Sequence, residues 1–238
     1  MTDPTPLVVF DLDGTLAETA GDLMGALNHV LSLDGLPPLP VEQARSLLGA
    51  GGRALIRRGF AAAGRPLDES RLEDLFGLFL AFYEDHIADH SHLYPGVVEA
   101  LDRLERGGYA FAVCTNKMEA AARQLLAALG VAGRFRAICG QDTFAVFKPE
   151  PGALLGTIER AGGDPARCVM VGDSRTDIDT SKAARVPCIA VDFGYTDRPV
   201  EEFGPDRVIG HFDALADAVA MLMKGKDGPE DGGGRDRD

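Results

Sequence analysis

Two aspartates two positions apart, Asp11 and Asp13, follow directly on the apolar run Val8–Phe10. Negative charge at the edge of a buried strand is costly unless a cation or a ligand offsets it. Other apolar runs end in polar clusters too. Thr115 and Asn116 close "AVCTNK", Lys148 stands in "VFKPEP", and Asp173 ends "VMVGD" with Asp177 four residues on. Carboxylates at Asp11, Asp13 and Asp173 are the hard oxygen ligands that Mg²⁺ takes. The hydroxyl of Thr115, the amide of Asn116 and the ammonium of Lys148 suit the oxygens of a phosphoryl group. A carboxylate beside such a metal can attack phosphorus and form an aspartyl-phosphate.

Each element taken singly has a plainer reading. "DLDG" reads as a tight turn, "TN" after a strand as a loop or helix cap, Lys148 before a proline as a solvated cation, and "GDSRTD" as a helix cap. A calcium loop is excluded, because that pattern needs a third acidic position before its glycine. What joins the four is their order, each behind an apolar run. In an open parallel sheet, ligands bind at the carboxyl ends of the strands.

The elements that must position these residues are legible as alternation. Apolar, β-branched runs at Leu7–Phe10, Tyr109–Cys114, Ala137–Cys139, Cys168–Val171 and Cys188–Val191 predict strands. Between most of them lie helical patterns such as Val97–Arg106 and Met118–Leu129, closed by Gly107-Gly108, Gly130 and Gly162-Gly163. This is an α/β chain with a parallel sheet covered by helices on both faces. The stretch from 17 to 92 breaks the rhythm. It reads as helices with no convincing strand, too large for a simple crossover, and predicts an all-α cap domain inserted after the first strand. The catalytic core is then residues 1–16 and 93–223. Residues 224–238, Gly-rich and charged, read as a disordered tail.

Composition narrows the partners. With a net charge of −13 over 238 residues, the chain lacks the basic stripe that nucleic-acid binding needs. No run approaches the roughly 18 apolar residues of a membrane span. Cys114, Cys139, Cys168 and Cys188 sit in or beside apolar runs without C-x-x-C spacing, which suits reduced thiols in a cytoplasmic protein.

The chain resembles the haloacid dehalogenase superfamily: DxDGT at Asp11–Thr15, a strand-end threonine at Thr115, Lys148, and GDxxxD ending at Asp177. The resemblance implies a Rossmann-like core with an inserted cap. It implies that Asp11 is the nucleophile and Asp13 the general acid/base. It implies that Asp11, the Asp13 backbone carbonyl and Asp173 hold Mg²⁺, with Asp177 in support, and that Thr115, Asn116 and Lys148 bind phosphate. Within the superfamily, the sequence from Leu7 to about Leu222 is similar to bacterial phosphoglycolate phosphatases. That similarity implies a small phosphorylated acid, 2-phosphoglycolate, as substrate. The chain departs from that pattern at Glu18, Thr176 and Arg185, where Asp, Asn and Gly are common.

Other residues invite competing readings. His86, His90 and His92 suggest zinc, but the zinc-protease pattern needs Glu where Ile87 stands; packing or solvated histidines fit better. Gly49–Arg53 reads either as a helix connection or as a cap loop whose Arg53 meets a substrate carboxylate. Lys117 and Arg175 either add positive potential to the site or face solvent. The aromatics of 76–83 read as core. A sugar phosphomutase of the same superfamily would share Asp11 and Asp13, and Thr15 favours hydrolysis over it. Dehalogenation does not use a second aspartate, and a non-catalytic binding module would be marked by loss of Asp11 or Asp13.

Overall fold

The computed structural model describes residues 5–43, 47–196 and 198–224. Its centre is β1 (Leu7–Phe10), four apolar residues buried on both faces. Near-continuous apolar runs of this kind are what a parallel strand sandwiched between helices requires. β4 (Ala110–Cys114) pairs with β1 on one side and β6 (Cys168–Gly172) on the other, both parallel. β5 (Phe135–Cys139), β7 (Cys188–Val191) and β8 (Arg207–Ile209) extend the sheet to the order β5-β4-β1-β6-β7-β8. β8 has no counterpart in the sequence reading; three residues at a sheet edge, one of them exposed, carry little apolar signal.

The register decides where the site forms. Phe10 stands opposite both Val113 and Val171, so β1, β4 and β6 end level with one another. The chain turns outward in opposite directions from β1, which makes this edge the topological switch point of the sheet.

Side chains alternate across β1. Val8 and Phe10 join one apolar layer with α4 (Val97–Arg106), α5 (Glu119–Ala128) and α8 (Leu215–Lys224). Leu7 and Val9 face the opposite layer, which includes α6 (Pro151–Arg160), and α7 (Arg175–Ala184) packs beside it on that face. Lys224 ends α8, so the expected tail does not begin at 224 as a separate segment; its remaining residues lie outside the described residues.

The inserted segment carries α1 (Ala20–Leu33), α2 (Gly52–Ala62) and α3 (Glu69–Asp85). α3 starts at Asp68, whose carboxylate accepts the Arg71 N–H, and buries Leu72, Leu75, Phe76, Phe79 and Tyr83 at helical spacing. Its apolar layer is continuous with that of Phe10 and Val113. The expectation of no strand here needs correction. β2 (Ala17–Glu18) pairs antiparallel with β3 (His92–Leu93), bringing the two ends of the insertion side by side. Two-residue strands leave no periodic signal to read. The helical reading of 17–92 is also interrupted ahead of α2. Gly49 and Gly51 adopt φ of 92° and 84°, a conformation that L side chains rarely take, and α2 starts only after them.

Among the described residues no helix is long and apolar enough to cross a membrane. The four cysteines are buried and form no disulfide. Burial pushes the thiols of Cys114 and Cys188 up to about 11 and about 12, against thiolate formation.

Candidate active site

Asp11 leaves the end of β1, its N–H still donating to Val171 O at 2.9 Å. The turn that follows depends on Gly14, at φ 82°; a Cβ there would lie 2.5 Å from Asp173 Oδ2. This close approach is why the DxDG turn can sit against β6. Thr15 Oγ1 then donates to Asp173 Oδ1 at 3.0 Å, and the Tyr195 N–H donates to Asp173 Oδ2 at 2.6 Å.

Asp177 closes the cluster from α7. Ser174 and Asp177 form a capping box: Asp177 Oδ2 accepts from the Ser174 N–H at 3.1 Å and the Ser174 hydroxyl at 2.7 Å. Oxygens of Asp11, Asp173 and Asp177 all lie within 4.8 Å of one another, and all three residues are buried.

Lys148 holds this cluster together. Its ammonium, on a side chain 2% exposed, lies 2.9 Å from Asp11 Oδ1 and 2.6 Å from Asp177 Oδ1. Burial opposes its charge, but Asp11 and Asp177 outweigh burial and hold the ammonium above its ordinary range. The Lys148 carbonyl in turn accepts the Asn116 amide N–H at 2.9 Å, tying the loops after β4 and before α6.

Asp13 lies apart from the three clustered carboxylates. Its Oδ1 accepts the Thr19 hydroxyl at 2.8 Å and lies 2.9 Å from Lys117 Nζ. Lys117 does not face solvent: it is buried and donates to the Tyr83 hydroxyl at 3.0 Å, across from α3. Thr115 Oγ1 accepts the Lys117 N–H at 3.2 Å, which leaves the threonine's own O–H free to donate toward the cavity it lines.

These side chains fit a divalent cation. Burial, with Asp177 and Asp13 adding to it against Lys148, raises Asp11 to about 6. Burial and the negative charges of Asp177 and Asp11 hold Asp173 well above the usual carboxylate range. Asp11 Oδ1 is buried without an aligned hydrogen-bond donor, although Lys148 is close. With all four of Asp11, Asp13, Asp173 and Asp177 ionised, the ammoniums of Lys117 and Lys148 would leave two negative charges uncompensated among the described residues of this set. A hard dication answers that deficit. Asp177, its oxygens already taken by Lys148, Ser174 and the Asp173 N–H at 3.3 Å, is placed to orient the others.

Above the carboxylates lies a cavity open to solvent on one side. It is lined by Asp11, Asp13, Thr115, Asn116 and Lys117 on the sheet side and by Leu55, Phe76, Phe79 and Tyr83 on the helical side. The aromatics read as core therefore serve both purposes, stacked on one another and walling the cavity.

Arg53, the sequence candidate for meeting a carboxylate, is engaged elsewhere. Its Nε and Nη2 donate to Glu73 at 2.6 and 2.8 Å and it lies 3.8 Å from the Phe76 ring centroid; it does not line the cavity. Arg175 is exposed and pairs with Asp179. His86 bonds the Phe82 carbonyl and stacks on Phe82. Among the described residues, the three buried aspartates are the one cluster of potential metal ligands. Sequence reasoning missed Thr19 and Tyr195, neither of which carries a local signal, and read Tyr83 as core alone.

Comparison with known proteins agrees with this geometry. The family model for haloacid dehalogenase-like hydrolases matches residues 8–191. Phosphoglycolate phosphatase of Mesorhizobium japonicum is 53% identical over 218 residues, covering 92% of this chain and 96% of that one. A crystal structure of a predicted phosphoglycolate phosphatase from Haemophilus somnus superposes with a TM-score of 0.83 at 27% identity, covering 92% of this chain and 99% of that one. The crystal structure of CbbY from Rhodobacter sphaeroides in complex with phosphate gives a TM-score of 0.74 at 26% identity, over 89% and 96% of the two chains. This chain belongs to the haloacid dehalogenase-like hydrolase family, as one of its phosphatases.

Proposed function

We propose that this phosphatase hydrolyses small phosphate monoesters through an aspartyl-phosphate on Asp11, with Mg²⁺ as cofactor and 2-phosphoglycolate as its main substrate. The observation that carries the reading is the bridge Asp11–Lys148–Asp177, whose Asp11 lines the cavity together with Asp13. A buried carboxylate is there held ready beside an ammonium, with a second carboxylate two residues on.

In this reading an Asp11 oxygen bonds to phosphorus, the ester P–O bond breaks, and Asp13 gives a proton to the leaving oxygen. In the second step Asp13 takes a proton from water, the water oxygen bonds to phosphorus, and the bond to Asp11 breaks. Inorganic phosphate leaves and the Asp11 carboxylate is restored. Lys148 aligns Asp11, and with Thr115 and Asn116 it offers donors to the non-bridging oxygens. Asp11, the Asp13 carbonyl and Asp173 would hold Mg²⁺, which when bound supplies charge neutralisation for the carboxylate cluster and the transferring group. The helical layer over the cavity excludes bulk water. The relatives named phosphoglycolate phosphatase support the substrate, and four buried cysteines without a disulfide suit a cytoplasmic setting.

The test is phosphate release with Mg²⁺ and with EDTA, across 2-phosphoglycolate, sugar phosphates, nucleotides and pyrophosphate. Asp11→Asn serves as the blank, with an expected loss of at least about 10⁴-fold, the scale of removing a nucleophile. Release that favours another ester moves the substrate and keeps the chemistry. No release from any ester, or release undiminished in Asp11→Asn, overturns the reading.

A further inference from the structure

The wall of the cavity is chiefly apolar, with Leu23, Leu55, Phe76, Phe79 and Met118 among its lining. Within that lining Lys117 is the one cationic side chain. Lys148 is not part of that lining; it bridges Asp11 and Asp177, and its remaining N–H is the one assigned above to the phosphoryl oxygens. Lys117 approaches from the loop after β4, its ammonium 2.9 Å from Asp13 Oδ1, donating to Tyr83 at 3.0 Å and lying 4.4 Å from the Tyr83 ring centroid. An ammonium has three donors, and these two partners leave one N–H uncommitted.

Position adds to this. Asp13 serves the leaving oxygen, so a cation paired with Asp13 stands next to whatever substituent that oxygen carries. In a phosphorylated 2-hydroxy acid the carboxylate is one carbon from that oxygen. Charge on Lys117 is also weakly screened, because the residue is buried and apolar side chains make up most of the cavity wall. Arg53, the alternative cation, does not line the cavity and holds Glu73 through its Nε and Nη2.

We propose that Lys117 recognises the substrate's carboxylate, making this enzyme selective for phosphorylated short-chain hydroxy acids over uncharged esters of the same size. The inference rests on the phosphatase reading above and names the specificity determinant of that same site. Tyr83 comes from α3, so the Lys117–Tyr83 bond orients the ammonium from the helical side and makes recognition depend on the helical layer being in place.

The test compares kcat/KM for 2-phosphoglycolate and for its neutral amide, 2-(phosphonooxy)acetamide, in the wild type, Lys117→Met, Lys117→Arg and Arg53→Met. The wild type should prefer the acid by about 10- to 100-fold, the scale of one charge-assisted hydrogen bond. Lys117→Met should bring that ratio close to one, whatever its general loss of rate, while Lys117→Arg should keep a preference for the acid. Because a ratio is read, disturbance of Asp13 alone would lower both rates and leave the preference intact; that result overturns the inference while the phosphatase reading stands. A ratio lost in Arg53→Met and kept in Lys117→Met overturns it equally. Should Lys117→Met not fold, a preference abolished in Lys117→Arg, which retains the cation, counts against it. A wild type that treats acid and amide alike removes the carboxylate from the substrate, and one inactive on every ester removes the phosphatase reading with it.

Discussion

Tyr195 grips Asp173 with its backbone and the base of the inserted helices with its side chain. Its N–H donates to Asp173 Oδ2 at 2.6 Å, and its hydroxyl accepts the N–H groups of Thr19 and Ala20 at 2.6 and 2.9 Å. The same hydroxyl donates to Glu18, whose other oxygen accepts the Tyr94 hydroxyl at 3.1 Å. A residue that orients a candidate metal ligand thus also caps α1 where the chain enters the insertion. Glu18 thereby reaches both tyrosines.

Tyr195→Phe keeps the N–H to Asp173 but leaves the Thr19 N–H buried without a partner. The expected cost is about 1–3 kcal/mol, the penalty of an orphaned buried donor, read as a lowered urea midpoint at constant slope. A midpoint equal to that of the wild type would show that water replaces the phenol and that the cap is dispensable.

Lys148→Met should be far more damaging. It strips Asp11 and Asp177 of their shared ammonium and leaves two buried carboxylates facing each other, a loss of about 3–5 kcal/mol. The deficit should shrink as pH falls and the carboxylates take up protons. Urea unfolding at pH 5 and pH 8 checks both size and direction.

The Asp11 shift sets a pH signature for the metal-free protein. A carboxyl raised from 3.8 to about 6 in the folded state adds stability that is fully present below pH 3.8 and lost as pH rises through 6. Melting temperature in EDTA should therefore lose this contribution between those values. Added Mg²⁺ should raise the melting temperature little near pH 4.5 and progressively more through pH 6, since it binds the ionised cluster. Equal Mg²⁺ stabilisation at both ends of the range would place the ion elsewhere.

Arg185 follows α7 at φ 56°, the one non-glycine residue among those described with positive φ. The left-handed conformation costs an L residue about 1–2 kcal/mol, less the entropy that glycine adds to the unfolded chain. Arg185→Gly should therefore stabilise by about 0.5–1 kcal/mol with activity unaltered, and Arg185→Ala should bring no such gain. Thermal unfolding of the two variants side by side separates backbone relief from loss of the guanidinium.

Much of this protein is written locally. The apolar runs of β1, β4 and β6 and the polar residues just beyond them lie within a few positions of one another. Strand periodicity and strand-end chemistry therefore place Asp11, Thr115 and Asp173 at one sheet edge before any contact is known. Ser174 and Asp177 form a box within four residues, also legible. Tertiary structure alone decides which cation meets which carboxylate. Lys148 meets Asp177 29 positions away, Tyr83 meets Lys117 across 34, and Tyr195 reaches Thr19 across 176. No local pattern encodes such pairings, because they depend on how separate layers stack. That is why Arg53, promising beside its glycines, is spent on Glu73, while Lys117 is drawn into the wall of the cavity beside Asp13. The β2–β3 ladder was illegible for the same reason: two residues carry no periodicity, and only the return of the chain at His92 gives them a partner.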